Sequence, residues 1–147
     1  GKGEELSQAI GRSRGGRTTK VHALTDCFCR PIAFLLTGGQ VADCTAADVL
    51  LEQMPATSIM HGDKGYDSER IREQIEAKGM VAVIPRKRNS KKGNANLDRG
   101  LYRYRHLVEN AFARLKPYRA IATRYDKLKR NYESMVALAC GFLWLPM

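Results

Sequence analysis

The chain has 147 residues, enough for one domain that buries roughly two-thirds of its unfolded surface. A hydrophobic fraction of 44% and a charged fraction of 27% exclude an intrinsically disordered chain. A net charge of +10 and a pI of about 9.7 point to a polyanionic partner, nucleic acid first and an anionic membrane second.

The charge is unevenly placed. Residues 1–60 carry six Lys/Arg and six Asp/Glu, whereas residues 61–147 carry nineteen and nine. A polyanion-binding surface is therefore expected in the second part. The four cysteines, Cys27, Cys29, Cys44 and Cys140, match no secreted disulfide framework, and nothing at the N-terminus reads as a signal peptide. Free thiols in a reducing cytosol are expected, with the protein nucleoid-associated. Cys27, Cys29 and His22 make a poor zinc set, because C-x-C lacks a second paired cluster. The apolar run "MVALACGFLWLPM" has thirteen residues, short of the roughly 20 that span a membrane, and is expected as a buried helix.

In chain order, the polar, glycine-rich residues 1–17 predict a loose arm. "TTKVHALT" and "RPIAFLLT", joined by "DCFC", predict a β-hairpin. Asp43 is placed to cap a helix reaching Met54, which Pro55 ends. Ile59–Met60 predicts a short strand leading into Gly62 and Gly65. Ser68 opens "ERIREQIEAK", whose Ile71 and Ile75 share a face, and Gly79 fits a left-handed stop. "MVAVIP" predicts a buried strand. "RKRNSKKGNAN" predicts a basic loop, followed by a helix from about Asp98 to Lys116 that Pro117 ends. A last helix is expected from about Tyr132 to Leu145. The order β-β-α-β-α-β-α-α predicts an α/β fold, a mixed sheet flanked by helices in a single domain.

The basic segment "YRYRHLVENAFARLK" holds one acid, Glu109. On an ideal helix of about 100° per residue, Tyr102, Arg105, Glu109 and Lys116 share a stripe about 60° wide beside the apolar face. An Arg105–Glu109 pair worth a few tenths of a kcal/mol would explain one contact, but not the company of Tyr102 and Lys116. Asp63 follows a short strand, where α/β sheets present ligands, although a plain turn aspartate has the same local pattern. Phosphoryl transfer on nucleic acid commonly uses two divalent ions about 3.5–4 Å apart held by carboxylates. Such oxygen ligands suit Mg²⁺ or Mn²⁺. Five Lys/Arg in residues 86–92, Arg86, Lys87 and Arg88 among them, suit sequence-independent phosphate contacts. His61 and His106 neighbour the two acids and are expected as hydrogen-bonding or DNA-contacting groups, with Lys64 a further cation beside Asp63.

Tyr102-x2-Arg105-x3-Glu109-x6-Lys116 matches the Y-R-E-K signature of bacterial insertion-sequence DDE transposases. "GRSRGGRTTKVHALTD", "GDKGYDS", "RHLVENAFARLK" and "IATRYDK" also resemble that family, in particular its insertion-sequence-five-like subgroup. The resemblance implies a ribonuclease-H-like fold, with Asp63 and Glu109 as the second and third acids of a metal-binding triad. It implies DNA cleavage and strand transfer by two-metal chemistry, with Tyr102, Arg105 and Lys116 on DNA phosphates at transposon ends and target. The family's first acid lies on a strand upstream of the "GRSRGG" block, and none of these residues matches it. The chain is therefore expected to be the C-terminal part of a catalytic domain, with the first strand missing. An upstream reading-frame product and a homo-oligomer on DNA are the expected partners, and the chain alone is expected to be inactive. The alternative is a non-catalytic nucleic-acid-binding module of transposase descent, separable by metal dependence. An RNA-binding protein would fit the charge but not the ordered blocks.

Overall fold

The computed structural model describes residues 8–14, 16–117, 124 and 128–143. Residues 1–7 of the expected arm, most of "IATRYDK" and the 144–145 end of the last helix lie outside them. The described residues fall into two compact units, one within Gly1–Val41 and Leu107–Met147, the other Ala42–His106.

In the first unit, β1 (Gly11–Ser13), β2 (Gly16–Thr25) and β3 (Pro31–Gly38) form an antiparallel sheet in the order β1-β2-β3. The expected hairpin is β2–β3, with Val21 opposite Leu36 and Ala23 opposite Phe34. Its turn closes on Asp26, whose carboxylate accepts from the Phe28 and Arg30 backbone N–H groups at 2.9 Å and from Arg30 Nε at 2.8 Å. Part of the expected arm is strand, because β1 pairs Gly11 with Thr18 and gives a glycine-rich backbone its hydrogen bonds. Helix α5 (Lys129–Phe142) starts earlier than expected and is one-sided. Tyr132, Val136, Ala139 and Cys140 are buried with Leu36 and Leu115, while Leu138 is 67% exposed. The expected buried helix is thus amphipathic. His22 is buried, with Nε2 2.8 Å from Thr37 Oγ1, which fits a structural role.

In the second unit come α1 (Asp43–Glu52), β4 (Ile59–His61), a 3₁₀ turn (Lys64–Tyr66), α2 (Glu69–Ala77), β5 (Val81–Val83), α3 (Arg99–Tyr102) and a second 3₁₀ turn (Arg103–Arg105). β4 and β5 are parallel, with Ile59 opposite Val81, so α2 is the crossover between them. Ile71 and Ile75 have no exposed surface and pack with Ala47, Leu51, Met80 and Ile84. Burying each isoleucine contributes about 1.5–3 kcal/mol. Gly79 ends α2 at φ 75°, as expected. Asp98 caps α3, accepting from the Leu101 N–H at 2.9 Å. Ala42, not Asp43, occupies the N-cap of α1, and Asp43 lies in the first turn, where its charge meets the positive helix end. The strand expected from "MVAVIP" is only three residues long, and Val81 is 58% exposed on this two-stranded sheet.

The chain is α/β as expected, but in place of the one mixed sheet expected, the strands of the described residues hydrogen-bond as two sheets, one antiparallel and one parallel. The single helix expected over 98–116 is broken into α3, the 3₁₀ turn and α4 (His106–Leu115). A 3₁₀ turn has about 3.0 residues per turn, so one ideal register does not carry through it.

Candidate catalytic and nucleic-acid-binding site

The β4–β5 ladder continues one residue beyond β4, where the Gly62 N–H donates to the Val83 carbonyl at 3.2 Å. Asp63 therefore follows directly on the anchored end of a strand. A Cβ at Gly62 would stand 3.0 Å from Ile84 Cγ1, and one at Gly65 would collide with the Asp43 carboxylate. The two glycines supply room for close packing. Asp63 occupies the N-cap position of the 3₁₀ turn, yet its side chain makes no capping bond. Its carboxylate is left directed outward, with 53% of the side chain exposed.

Arg105 reaches this carboxylate, with Nη1 3.5 Å from Oδ2 across a separation of 42 residues. The same guanidinium lies 5.6 Å from the centre of the Tyr102 ring. Three of the expected site residues thus meet. An exposed pair of this kind contributes at most about 1 kcal/mol, so its meaning is positional. Burial pushes the Tyr66 phenol up to about 12, with the charges of Asp43 and Asp63 adding to the effect. Tyr66 accordingly remains protonated next to the acid. Burial also lowers His61, with Asp98 working the other way, and favours a neutral imidazole at the end of β4. His106 is tied locally, its Nδ1 2.6 Å from the Arg103 carbonyl oxygen. Lys64 is exposed beside Asp63. Glu109 and Lys116 belong to the first unit, Glu109 on α4 and Lys116 just beyond it, and both are exposed.

In the basic loop, Arg86 pairs with Glu69 and lies 3.9 Å from Asp67, and Lys92 Nζ is 3.1 Å from Glu69. Lys87, Arg88 and Lys91 are exposed. Composition does not reveal this division, because partners up to 23 residues apart decide it. Reasoning from sequence also missed Arg124, which donates to the Gln8 carbonyl at 2.9 Å and to Thr19 Oγ1 at 2.7 Å and stacks 5.0 Å over Tyr132.

Among the described residues, no group of three or more His, Cys, Asp or Glu side chains is arranged to hold a metal ion. No disulfide joins Cys27, Cys29, Cys44 or Cys140. Asp63 offers an outward, half-exposed oxygen donor of the class that hard divalent ions take. No helix of the described residues is long and apolar enough to cross a membrane.

Comparison with known proteins gives a family. The model of the Transposase DDE domain matches residues 3–144. The chain belongs to the DDE transposase family. It is 34% identical over 129 residues to a Brucella ovis protein named as a transposase for insertion sequence element IS6501, covering 87% of this chain and 98% of that relative. It is 31% identical over 140 residues to a Burkholderia cepacia protein named as a transposase for insertion sequence element IS402, covering 88% of this chain. The match spans 63% of that second relative's length. No solved structure matches the chain. Membership of a bacterial insertion-sequence transposase family is what the ordered sequence blocks predicted, and transposases act on DNA, consistent with the net charge of +10.

Proposed function

We propose that this chain acts in DNA transposition by metal-dependent phosphoryl transfer, with Asp63 and Glu109 as catalytic acids on a ribonuclease-H-like scaffold. The observation that carries the proposal is the meeting of Arg105 with Asp63 at 3.5 Å and with the Tyr102 ring at 5.6 Å. Two residues of the Y-R-E-K signature are thereby gathered at an acid from a different sequence block. The antiparallel β1-β2-β3 pairing and the parallel β4–β5 pair joined through α2 are strand arrangements that a mixed sheet of this kind would contain.

Asp63 and Glu109 would hold Mg²⁺ or Mn²⁺, which when bound supplies charge neutralisation and activates water for attack on a phosphodiester. Arg105, Lys64, Lys116 and Tyr102 position phosphates about the acids, with His106 as a further contact. The 86–92 loop adds contacts to the DNA backbone without sequence specificity. Tyr66, kept protonated, presents a neutral hydroxyl that can donate or accept a hydrogen bond at neutral pH.

The test measures nicking and strand transfer on duplexes carrying the element's ends, with Mg²⁺ or Mn²⁺. The first acid of the expected triad has no assigned residue here, so the chain is assayed alone and together with the upstream sequence of its element. Asp63→Asn and Glu109→Gln should abolish cleavage while preserving DNA binding. Cleavage that survives both substitutions would refute the assignment.

A further inference from the structure

We infer that Asp67 is a positioning residue that fixes the basic loop, so that Lys87, Arg88 and Lys91 meet nucleic-acid phosphates while Arg86 and Lys92 are held for structure. The inference rests on the DNA-binding reading above. Asp67 is the second aspartate of "GDKGYDS", four residues past Asp63, and its side chain is only 8% exposed. Both oxygens are engaged within the fold. Oδ1 accepts from Arg72 Nη2 at 2.8 Å, and Oδ2 accepts from the Lys87 backbone N–H at 2.7 Å. Arg72 Nη2 also donates to the Ile84 carbonyl at 2.7 Å. One carboxylate therefore ties the residues before α2 to the chain leaving β5, at the point where the loop begins.

The loop is closed from its far side by Asn94. Its Oδ1 accepts from the Arg86 N–H at 2.6 Å, and its Nδ2 donates to the Arg86 carbonyl at 3.4 Å. A turn follows, in which the Ser90 N–H donates to the Lys87 carbonyl at 2.9 Å. Glu69 takes Arg86 and Lys92. Among the described residues, Lys87, Arg88 and Lys91 make no ion pair, and all three are exposed. A cation already paired with a carboxylate must exchange that partner before it can neutralise a phosphate, and an unpaired one need not. The backbone of Lys87 is anchored while its ammonium group points to solvent, an arrangement suited to presenting charge at a set position. Engagement of both oxygens also separates Asp67 from Asp63, whose carboxylate faces outward.

The experiment measures binding of the full chain to a short fluorescent duplex over a range of salt. Each phosphate that a variant no longer neutralises lowers the magnitude of the log K against log[salt] slope by about 0.9. Lys87→Gln, Arg88→Gln and Lys91→Gln should each show that decrease, and Arg86→Gln and Lys92→Gln should leave the slope unchanged. Removing the Asp67 charge would tighten binding if only net charge mattered, whereas the positioning role predicts that Asp67→Asn weakens it several-fold. The inference is overturned if Arg86→Gln or Lys92→Gln lowers the slope as much as the other three, if those three leave it unmoved, or if Asp67→Asn binds more tightly. Lys87, Arg88, Lys91 and Lys92 are exposed, so their glutamine variants keep the test valid even if Asp67→Asn or Arg86→Gln folds poorly. A wild-type chain that binds no duplex at any salt would defeat the functional reading itself, a result distinct from binding with the wrong slopes.

Discussion

Replacing Asp67 by asparagine removes the carboxylate that faces Arg72 in a nearly water-free setting, the two side chains being 8% and 12% exposed. Deleting one partner of a buried ion pair costs about 3–5 kcal/mol, because the other charge is left uncompensated. Arg72 keeps its bond to the Ile84 carbonyl, and asparagine can still accept one hydrogen bond, so about 2–3 kcal/mol is expected. For a chain of this length that corresponds to a fall in Tm of roughly 4–12 °C. The sign of the pH dependence follows from the carboxyl group. Burial works to raise it, but hydrogen bonds from Arg72 and the Lys87 N–H, with the charges of Arg72 and Arg86, outweigh burial and hold it below the ordinary range. As pH falls, the unfolded chain takes up the proton first, near the ordinary value of about 3.9. The stabilisation is then complete above that value and is lost as pH falls through the lower folded one. Thermal and urea melts followed by circular dichroism at pH 7, 5, 4 and 3 provide the assay. The wild type should exceed Asp67→Asn by a constant margin at pH 7 and 5, with the margin shrinking below about pH 4. A margin under about 0.5 kcal/mol at pH 7, or one unchanged down to pH 3, would refute the reasoning.

Ile71, fully buried in the second unit, should cost about 2–5 kcal/mol as Ile71→Ala and only about 0.5–1.5 as Ile71→Val, read from urea midpoints. Thr37→Val removes the hydroxyl 2.8 Å from His22 Nε2 and should cost about 1–3 kcal/mol in thermal melts, with Thr37→Ser close to wild type. Asp98→Ala deletes a cap that accepts from the Leu101 N–H and should cost about 0.5–2 kcal/mol. Ser68→Ala, at an N-cap position whose side chain makes no capping bond, should fall within about 0.5 kcal/mol of wild type in the same melts.

Elements with a local cause were legible in the sequence. The β2–β3 hairpin, the Ile71/Ile75 face, the Gly79 stop and the Asp98 cap each follow from residues a few positions apart. Asp63 could be found because an acid flanked by two glycines after an apolar dipeptide is itself a local pattern. β1 could not, since three residues of a glycine-rich stretch carry no period and gain their place only by pairing with β2. The break at Arg103–Arg105 was hidden for a related reason, because α and 3₁₀ turns draw on the same residues. Asp63, which Arg105 reaches, lies 42 residues away, and helix spacing, which offers Glu109 to the same arginine, does not reveal it.

The distribution of charge gives a different answer at each level of description. The sequence places the entire excess in residues 61–147, which suggests one broad basic surface. The second unit, Ala42–His106, holds twelve Lys/Arg and nine Asp/Glu, so its net charge is only +3. Its acids are not spread evenly against those cations. Asp48 pairs with Arg70, Asp67 with Arg72, Glu69 with Arg86 and Lys92, and Asp63 with Arg105. These pairs remove charge from α2 and from both ends of the basic loop, leaving Lys87, Arg88 and Lys91 as a cluster within five residues. Exposed charges more than about 8 Å apart are largely screened at physiological ionic strength, so a phosphate responds to such a local cluster more than to the total. A unit with little net charge can therefore still grip a polyanion, provided its acids are committed elsewhere. Asp67 and Glu69 are the residues that commit them here.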